Sequence, residues 1–371
     1  MKNKTMAILF ASNSGCQLND LTIHRTAASL PFAGRYRLID FILSNLVEAG
    51  VSNVGIVTRS NYNSLMDHLR NGRDWDLNRK NSGISIYPPF VLNASRDAYK
   101  GKIEALKTVR GFMLDASENY VILSNTNIAL NINFDDVEEE HLATKADITM
   151  LTYNTEQVNA QREVITTNAE GRIIDMRAPI AADVGEKNVN LQIYLVKKDL
   201  LISLIDEAHA HGSYDFEKDI MAVKLNELNV HNYVVKDYVA VIDKVQTYFA
   251  HSMKVLNPAI RDELFYKNTT ILTKVKDSVP TKYLENANVK NSIIADGCVI
   301  DGTVENSILF RSVNVQKGAV IKNSIVMENN IIMENSQLEY CITDKDVIVQ
   351  ANRKLSGAET YPLVVVKGKI I

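Results

Sequence analysis

The sequence contains little cysteine and little net charge. Its three cysteines, Cys16, Cys298 and Cys341, are far apart and odd in number, which is typical of free thiols in a reducing compartment rather than of a disulfide framework. The formal net charge of −3 provides no electrostatic reason to expect a nucleic acid or an anionic membrane as a partner. These absences predict a cytoplasmic protein that binds neither.

Long apolar runs and metal-binding spacings are also lacking. The early apolar run 6–11 is too short for the core of a signal peptide or for a membrane-spanning helix. No CxxC or HExxH motif occurs, and His209 and His211 would point to different faces of a helix. We therefore expect no metal site of these kinds and no membrane partner.

The length and composition favour two domains. The chain has 371 residues, of which 46% are hydrophobic, so it can bury more than one core. Up to about residue 250, short apolar runs alternate with amphipathic ones, which predicts a mainly parallel α/β sheet with helices on both faces. The predicted strands are 54–59, 120–125, 147–153, 190–196 and 238–243, and the predicted helices are 40–50 and 102–113. Ligands of such sheets bind beyond the carboxyl ends of the strands.

A 17-residue repeat replaces this alternation from about residue 286. It is defined by the triplets NSI (306–308), NSI (323–325) and YCI (340–342), and an apolar residue returns every five or six positions. This hexapeptide pattern predicts a left-handed parallel β-helix. The predicted organisation is an α/β domain over 1–250, a linker over 251–285 and a β-helix over 286–371.

The stretch AILFASNSGCQL (7–18) places a small polar turn directly after an apolar run. Nucleotide-binding α/β domains usually have their first strand and phosphate loop at such a position. The turn holds a single glycine, Gly15, whereas phosphate loops generally use two or three. By itself the stretch leaves both a phosphate loop and a plain turn open.

Four stretches carry a resemblance to a known family. They are LPFAGRYRLIDFILSNLVEAGVSNVGIVTR (30–59), NGRDWDLNR (71–79), DFEKDI (215–220) and NSIIADGCVIDGTVENSIL (291–309). These stretches resemble ADP-glucose pyrophosphorylase (glucose-1-phosphate adenylyltransferase), and the similarity extends over essentially the whole chain. The family makes ADP-glucose for glycogen from ATP and glucose 1-phosphate and releases pyrophosphate. The resemblance implies a nucleotidyltransferase domain with a dinucleotide-binding-like fold, and subunits that form tetramers.

The chain departs from this family at the phosphate loop, which in the family reads roughly Leu-Ala-Gly-Gly-x-Gly-x-Arg-Leu. Two glycines that let backbone N–H groups approach a phosphate are replaced by residues with side chains, and the arginine is replaced by Gln17. A lysine–proline pair becomes Ala27–Ala28. By resemblance, the remnant of the nucleotide loop is Ala11, Ser12, Asn13, Gly15 and Gln17.

The family's magnesium ligands are also altered. Attack on the α-phosphorus of ATP concentrates negative charge that Mg²⁺ offsets, and Mg²⁺ prefers carboxylate oxygens. The two aspartates of the family align with Asn125 and Val241 here, an amide and an apolar side chain. Asp243 would point to the same side of a strand as Val241, which leaves a shifted ligand open. We otherwise expect no metal and no cofactor, with Mg²⁺ needed only by a catalytic partner.

The sugar pocket of the family is changed as well. Its Tyr-x-Gly-Thr-Ala becomes YKGKI (99–103), and its Glu-Lys-Pro becomes RAP (177–179). A serine of the family becomes Asn190, and a glycine two residues later becomes Gln192. The remnant of the sugar pocket is Tyr99, Gly101, Arg177 and Asn190.

These combined losses favour a non-catalytic, regulatory subunit of glucose-1-phosphate adenylyltransferase. Some bacteria, chiefly Gram-positive ones with low genomic GC content, have a second subunit type of this kind, and the chain resembles it. The expected partner is a catalytic subunit in a mixed tetramer, with a homo-oligomer as another form. Two alternatives remain: an active enzyme with rearranged ligands, and a hexapeptide acyltransferase. A hexapeptide acyltransferase would need a histidine base in or beside the coils, and no histidine follows His251 in this sequence.

An effector site is a further expectation from the resemblance. Arg35 aligns with a basic residue that binds phosphorylated effectors in the family, and Arg37 follows on the same side of an extended segment. Both arginines could instead pair only with carboxylates, as most surface arginines do. We therefore predict a phosphorylated metabolite as a candidate partner, with this alternative left open.

Overall fold

The computed structural model describes residues 1, 4–12, 15–80, 82–89, 99–156, 158 and 161–371. The strands of the N-terminal domain are β1 (Thr5–Ala11), β2 (Pro31–Phe32), β3 (Tyr36–Arg37), β4 (Asn53–Thr58), β5 (Gly83–Tyr87), β6 (Tyr120–Asn125), β7 (Ile128–Leu130), β8 (Ile148–Thr155), β9 (Val164–Thr167), β10 (Ile173–Arg177), β11 (Lys187–Lys197), β12 (Val230–Val235) and β13 (Val239–Val241). The α-helices are α1 (Leu38–Glu48), α2 (Asn63–Leu69), α3 (Lys102–Thr108), α4 (Arg110–Asp115), α5 (Phe134–Ala143), α6 (Lys198–Ala210), α7 (Val245–Lys254) and α8 (Pro258–Tyr266). A π-helical turn spans Phe216–Met221.

The main sheet has the strand order β10-β9-β11-β6-β1-β4-β5, and β8 joins β11 to β12. Strand β1 runs parallel to both β4 and β6, whereas β11 runs antiparallel to β6. Every residue of β1 is buried because alternate side chains pack into apolar clusters on opposite faces of the sheet. In the β1–β6 register Phe10 lies opposite Asn125, so both strands end at the same edge. The structure confirms the predicted mostly parallel α/β sheet.

Two predicted elements differ from what the structure contains. The segment 238–243 forms β13, which pairs with β7 in a separate two-stranded sheet rather than in the main sheet. The segment 102–113, predicted as one helix, contains two: α3 ends at Thr108 and α4 begins at Arg110, with Val109 between them. The sequence predicts the type of element correctly in both cases, but pairing partners and helix breaks depend on tertiary packing.

The C-terminal region is a parallel β-helix with three sheets, in the left-handed arrangement that the hexapeptide pattern predicts. Each sheet contains five strands, in the orders β14-β17-β20-β23-β26, β15-β18-β21-β24-β27 and β16-β19-β22-β25-β28. The strands are β14 (Lys282–Tyr283), β15 (Asn288–Lys290), β16 (Ile293–Ile294), β17 (Val299–Ile300), β18 (Thr303–Glu305), β19 (Ile308–Leu309), β20 (Asn314–Val315), β21 (Val320–Lys322), β22 (Ile325–Val326), β23 (Ile331–Ile332), β24 (Gln337–Glu339), β25 (Cys341–Thr343), β26 (Ile348–Val349), β27 (Lys354–Ser356) and β28 (Leu363–Val365).

The repeated Asn-Ser-Ile triplet has a physical explanation in the coil corners. Asn306 and Asn323 both adopt a φ of 45°, in the left-handed region that asparagine tolerates better than most residues. The hydroxyl oxygen of Ser307 then accepts a hydrogen bond from the N–H of Ser324 in the next coil, at 3.1 Å. Ile308 stacks on Ile325 in the interior. The 17-residue period therefore reflects one turn, one stacked hydroxyl and one core residue in each coil.

The two regions share an apolar cluster. It contains Phe41 of α1 and Tyr248 of α7 together with Ile325 and Ile342 of the β-helix, all of them fully buried. The segment 251–285, predicted as a linker, contains the end of α7 and all of α8. Within the described residues, no helix has both the length and the apolar character that crossing a membrane requires. All three cysteines are free thiols.

Candidate functional site

A pocket of about 620 Å³ lies at the carboxyl ends of β1, β4 and β6, where ligands of α/β sheets bind. The structure brings six of the predicted site residues together in its lining: Ser12, Gly15, Tyr99, Gly101, Asn125 and Arg177. Ala11, Asn190 and Val241 are buried, and Gln17 is exposed. Asn13 lies outside the described residues. The remnants of the nucleotide loop and of the sugar pocket therefore border one cavity.

Two glycines of the pocket are required by the backbone. Gly15 has a φ of +79°, and a Cβ at this position would lie 2.6 Å from Oε1 of Gln161. At Gly101 a Cβ would lie 2.1 Å from the carbonyl oxygen of Tyr214. Gly15 thus permits the turn after β1, and Gly101 permits α3 to begin against the segment that precedes the π-helical turn.

The floor of the pocket is a connected set of side chains. Nδ2 of Asn125 donates to Oε1 of Gln192 at 2.5 Å, and Nζ of Lys102 donates to the same oxygen at 3.3 Å. Lys102 also forms an ion pair with Glu217, whose side chain is 6% exposed. Because a buried carboxylate is costly without a partner, Lys102 compensates the charge of Glu217.

Gln192 adopts an unusual backbone conformation. Its φ is +58°, at an irregularity in the pairing of β11 with β8 between Asn190 and Ile193. A residue with a Cβ is strained in this left-handed region, by roughly 1–2 kcal/mol. The N–H of Gln192 donates to Oδ1 of Asn190 at 2.7 Å, and this hydrogen bond helps to hold the conformation.

A second polar layer lies beneath this floor. Nδ2 of Asn190 donates to Oε2 of Glu163 at 3.0 Å and to the hydroxyl of Tyr194 at 2.8 Å. The Tyr194 hydroxyl in turn donates to Glu217 at 3.2 Å. Burial, together with the nearby charge of Glu217, raises the pKa of Glu163, and burial raises the pKa of Tyr194. Asn190 therefore positions the floor from below rather than facing a ligand.

The residues that align with the magnesium ligands of the family do not fit a magnesium ion. Val241 belongs to an apolar cluster with Ile128, to which it is paired across β13 and β7. The Asn125 amide is bonded to Gln192. Asp243 lines the pocket, but its Oδ1 accepts a hydrogen bond from Thr247 at 2.7 Å. Among the described residues, no three histidine, cysteine or acidic side chains could hold a metal ion together.

Arg177 lies at the rim of the pocket and is held by its own loop. Its Nη1 and Nη2 atoms donate to the two carboxylate oxygens of Asp183 at 2.9 and 2.7 Å. These hydrogen bonds, and the positive charge of Arg177, hold the pKa of the Asp183 carboxyl well below its usual range. The guanidinium is therefore engaged within the β10–β11 connection.

The structure places Arg35 and Arg37 in different surroundings. Arg35 is exposed in the turn between β2 and β3, with its Nη2 3.4 Å from the hydroxyl oxygen of Tyr36. Nη1 of Arg37 instead donates to the carbonyl and hydroxyl oxygens of Ser64, at 2.7 and 3.0 Å. The described contacts give the two arginines no shared partner, so they do not form one anion site by themselves.

Arg37 belongs to a group of charges between the domains, here named the junction cluster: Arg37, Lys276, Glu328 and Lys345. Nζ of Lys345 lies 2.8 Å and Nζ of Lys276 lies 3.7 Å from Oε2 of Glu328. Burial alone would raise the pKa of Glu328, but Lys345, Lys276 and Arg37 together lower it to about 2. Burial lowers the pKa of Arg37 and of Lys345. The cluster is a partly buried set of cations around one carboxylate.

Several residues of the site could not be assigned from the sequence. Glu217 lies within the DFEKDI stretch, and Lys102 and Gln192 stand at positions where the chain departs from the family. The sequence shows these residues but not their contacts, because Lys102 is 90 residues from Gln192 and 115 residues from Glu217 in the chain. Glu163 and its neighbour Arg162, which donates to the Asn190 carbonyl oxygen at 3.0 Å, gave no sequence signal.

Comparison with known proteins identifies the class to which this fold and site belong. A family model described as nucleotidyl transferase matches residues 6–256, and one described as GlmU-like, C-terminal hexapeptide matches residues 278–359. The first model covers more than half of the chain. The fold is therefore that of a nucleotidyl transferase with a C-terminal hexapeptide domain.

Individual relatives narrow this class. The chain is 35% identical to the glycogen biosynthesis protein GlgD of Bacillus subtilis (strain 168) over 368 residues, which cover 99% of this chain and 97% of that protein. It is 36% identical to GlgD of Geobacillus stearothermophilus, over 86% of this chain and 84% of that protein. It is 30% identical to glucose-1-phosphate adenylyltransferase of Geobacillus stearothermophilus, over 87% of this chain and 84% of that protein. The chain therefore belongs to the nucleotidyl transferase family, among the relatives of GlgD and glucose-1-phosphate adenylyltransferase, and the predicted resemblance is confirmed.

Proposed function

We propose that the chain is a non-catalytic, regulatory subunit of glucose-1-phosphate adenylyltransferase in glycogen biosynthesis. The observation that carries the proposal is the state of the two positions that align with the magnesium ligands of the family. An amide, Asn125, and a buried valine, Val241, stand where carboxylates would hold Mg²⁺, and Asn125 is bonded to Gln192. Phosphoryl transfer depends on charge neutralisation and positioning, and these residues supply neither to a triphosphate.

The partner in this proposal is the catalytic subunit of the same enzyme. The two chains assemble into a mixed tetramer, and the regulatory chain changes the kinetics of its partner. Two features support association. The first coil of the β-helix has strands paired on one side only, and the side chains of Tyr283 within this coil and of Val279 just before it are exposed. A homo-oligomer in the absence of the partner is part of the proposal, as is a cytoplasmic location, which the three free thiols favour.

Co-expression with the catalytic subunit from the same cell tests this function. The expected result is a co-purifying complex whose rate of ADP-glucose formation or response to metabolites differs from that of the catalytic subunit alone. The isolated chain should form no ADP-glucose from ATP, Mg²⁺ and glucose 1-phosphate. A monomer by light scattering that also leaves the partner's kinetics unchanged would refute the regulatory role. Robust turnover by the isolated chain, purified free of any catalytic subunit, would instead identify an active enzyme with rearranged ligands, in which Asp243 is the available carboxylate.

A phosphorylated metabolite is the proposed effector of the complex. The junction cluster supports this part of the proposal, because Arg37, Lys276 and Lys345 concentrate positive charge around Glu328 between the two domains. A phosphate group could replace the Glu328 carboxylate as the counter-charge of these cations. Arg35 lies outside this cluster and is the less favoured of the two predicted arginines.

A further inference from the structure

Four separate segments meet at the floor of the pocket through one set of hydrogen bonds. Asn125 ends β6, Gln192 lies on β11, Lys102 begins α3 and Glu217 lies in the π-helical turn. Oε1 of Gln192 accepts from Nδ2 of Asn125 at 2.5 Å and from Nζ of Lys102 at 3.3 Å, while Lys102 pairs with Glu217. We name the side chains of Gln192 and Lys102 the internal bridge, because they connect the amide of Asn125 to the carboxylate of Glu217.

The backbone at Gln192 indicates that the bridge is held at a cost. A φ of +58° is unfavourable for a residue with a long side chain. Such a conformation persists only where the surrounding structure constrains the backbone. The pairing irregularity in β11 and the hydrogen bond from Gln192 to Asn190 provide this constraint. The strained position directs the carboxamide to Asn125 and Lys102 across the carboxyl ends of the strands. Strain of this kind is concentrated at binding sites.

The groups joined by the bridge are those that bind sugars. Amides both donate to and accept from hydroxyl groups, and carboxylates accept from them. Here they line a cavity of about 620 Å³, in the usual size range for a small-molecule site. The Gln192 carboxamide and the Lys102 ammonium already occupy the Asn125 donor and the Glu217 acceptor. A ligand must break these contacts before it can use either group, and this lowers its affinity.

We propose that the chain fills the floor of the former sugar pocket with its own internal bridge and thereby excludes a hydroxyl-rich ligand, a sugar or sugar phosphate. The bridge takes the hydrogen bonds that sugar hydroxyl groups would make and so excludes the ligand. This inference rests on the proposed function, since a chain that turned over glucose 1-phosphate would bind it in the unmodified state. Gln192 and Lys102 are then the residues that determine exclusion.

Two variants of the full chain test the bridge. Gln192→Asn shortens the side chain by one methylene, so that it no longer reaches Lys102, and asparagine tolerates a positive φ better than glutamine. Lys102→Thr removes the ammonium and leaves a small hydroxyl. The matched control is Lys107→Thr on the same helix, since Lys107 pairs with Asp206 of α6 at 2.6 Å, outside the pocket. Far-ultraviolet circular dichroism and thermal unfolding establish that each variant is folded.

The binding affinity of each variant is measured by isothermal titration calorimetry in the absence of Mg²⁺. Glucose 1-phosphate and glucose are the two probes, titrated separately. We expect weak or no binding to the unmodified chain and to Lys107→Thr, and binding at least about tenfold tighter to Gln192→Asn, equivalent to removing one competing hydrogen bond. Gain of affinity for both probes identifies a site for sugar hydroxyl groups, whereas gain for glucose 1-phosphate alone identifies a site that also needs the phosphate.

Two results would overturn the inference. One is equal affinity of the unmodified chain and Gln192→Asn, and the other is a folded Gln192→Asn variant that binds neither probe. If Lys102→Thr does not fold, because Glu217 is left without its cation, Gln192→Asn decides alone, since it retains that ion pair. Pyrophosphate release by the unmodified chain tests the proposed function separately, so loss of the inference without turnover leaves the regulatory function in place.

Discussion

Arg25 and Asp344 form a buried ion pair between the two domains. Nη2 of Arg25 lies 2.7 Å from Oδ1 of Asp344, and the two side chains are only 3% and 2% exposed. The residues are 319 positions apart in the chain. Asp344 also accepts from the N–H of Lys345, so this contact joins the interdomain apolar cluster to the junction cluster. The relative placement of the α/β domain and the β-helix is therefore fixed by a specific charge pair as well as by apolar packing.

Removal of the arginine is expected to destabilise the protein strongly. Arg25→Leu leaves the Asp344 carboxylate buried without its cation, which costs about 3–5 kcal/mol in the free energy of unfolding. Denaturant unfolding followed by circular dichroism measures the loss. Arg79→Leu is the control, because Arg79 pairs with an exposed Asp76 and should change stability by no more than about 1 kcal/mol. Equal, small losses in the two variants would contradict a structural role for the Arg25–Asp344 pair.

The stability of the β-helix should depend on whether the residue that replaces a corner asparagine has a Cβ. Asn323 has a φ of 45°, so Asn323→Ala forces alanine into the left-handed region, whereas Asn323→Gly does not. We expect the alanine variant to be less stable than the glycine variant by about 1–2 kcal/mol. Thermal unfolding of the two variants, side by side, gives the difference. An alanine variant as stable as the glycine variant would show that this corner is not strained.

His251 should make stability depend on pH. Burial lowers its pKa from 6.5 to about 4, with the positive charge of Lys254 acting in the same direction. The unfolded chain therefore binds a proton more readily than the folded chain between these values, and stability falls as the pH drops from about 6.5 towards 4. Above pH 6.5 this contribution to stability is complete and constant.

The variant His251→Phe tests this pH dependence. Since Nδ1 of His251 lies 2.7 Å from the hydroxyl oxygen of Tyr238, the variant also loses a hydrogen bond at every pH, and slopes rather than absolute stabilities are compared. We expect the fall in unfolding free energy between pH 7 and pH 4.5 to shrink by roughly 1–3 kcal/mol. It should not vanish, because burial also lowers the pKa of His68 and His141. An unchanged slope would show that His251 titrates normally.

Substitution in the junction cluster should weaken the response to phosphorylated effectors. Arg37→Ala removes a charge-assisted hydrogen bond to the bound phosphate, and the expected loss of affinity is about ten- to a hundredfold. Inorganic phosphate and a sugar phosphate, titrated into the mixed complex, are the probes. Arg35→Ala should have the smaller effect, because Arg35 lies outside the cluster. An unchanged effector response in both variants would return both arginines to a purely structural role.

Restoring two carboxylates should not restore catalysis. Asn125→Asp with Val241→Asp provides two oxygen ligands at the aligned positions. Phosphates and sugar are still poorly held by the residues that remain in the loop and the sugar pocket: Ser12, Asn13, Gln17, Ala27, Arg177 and Ala178. We expect little ADP-glucose formation by this double variant, measured as Mg²⁺-dependent pyrophosphate release. Recovery should require a rebuilt loop and pocket floor as well. Strong activity from the two aspartates alone would show that the other losses matter less than the metal ligands.

Much of the architecture could be predicted because it follows from the local periodicity of apolar residues. Apolar runs of strand length identified β4, β6, β8 and β11, and the 17-residue Asn-Ser-Ile period identified the β-helix. Both patterns indicate which side chains face the interior of the protein. This property is set by residues that are close together in the chain, so it can be read from a short stretch of sequence. The strands also predicted where a ligand pocket would lie, because parallel strands end at a common edge. The family resemblance predicted six of the residues that line this pocket: Ser12, Gly15, Tyr99, Gly101, Asn125 and Arg177.

Tertiary packing alone decided which of these side chains meet. Gln192 reaches Asn125 across 67 residues, and Arg25 reaches Asp344 across 319. The contact of Arg37 with Ser64 and the pairing of β13 with β7 likewise follow from neighbours that are distant in the chain. The physical reason is that periodicity specifies the face on which a residue lies, whereas the partner of a buried polar group depends on which segments pack together in three dimensions. The family and the fold could thus be inferred from the sequence, but the internal bridge across the floor of the pocket required the structure.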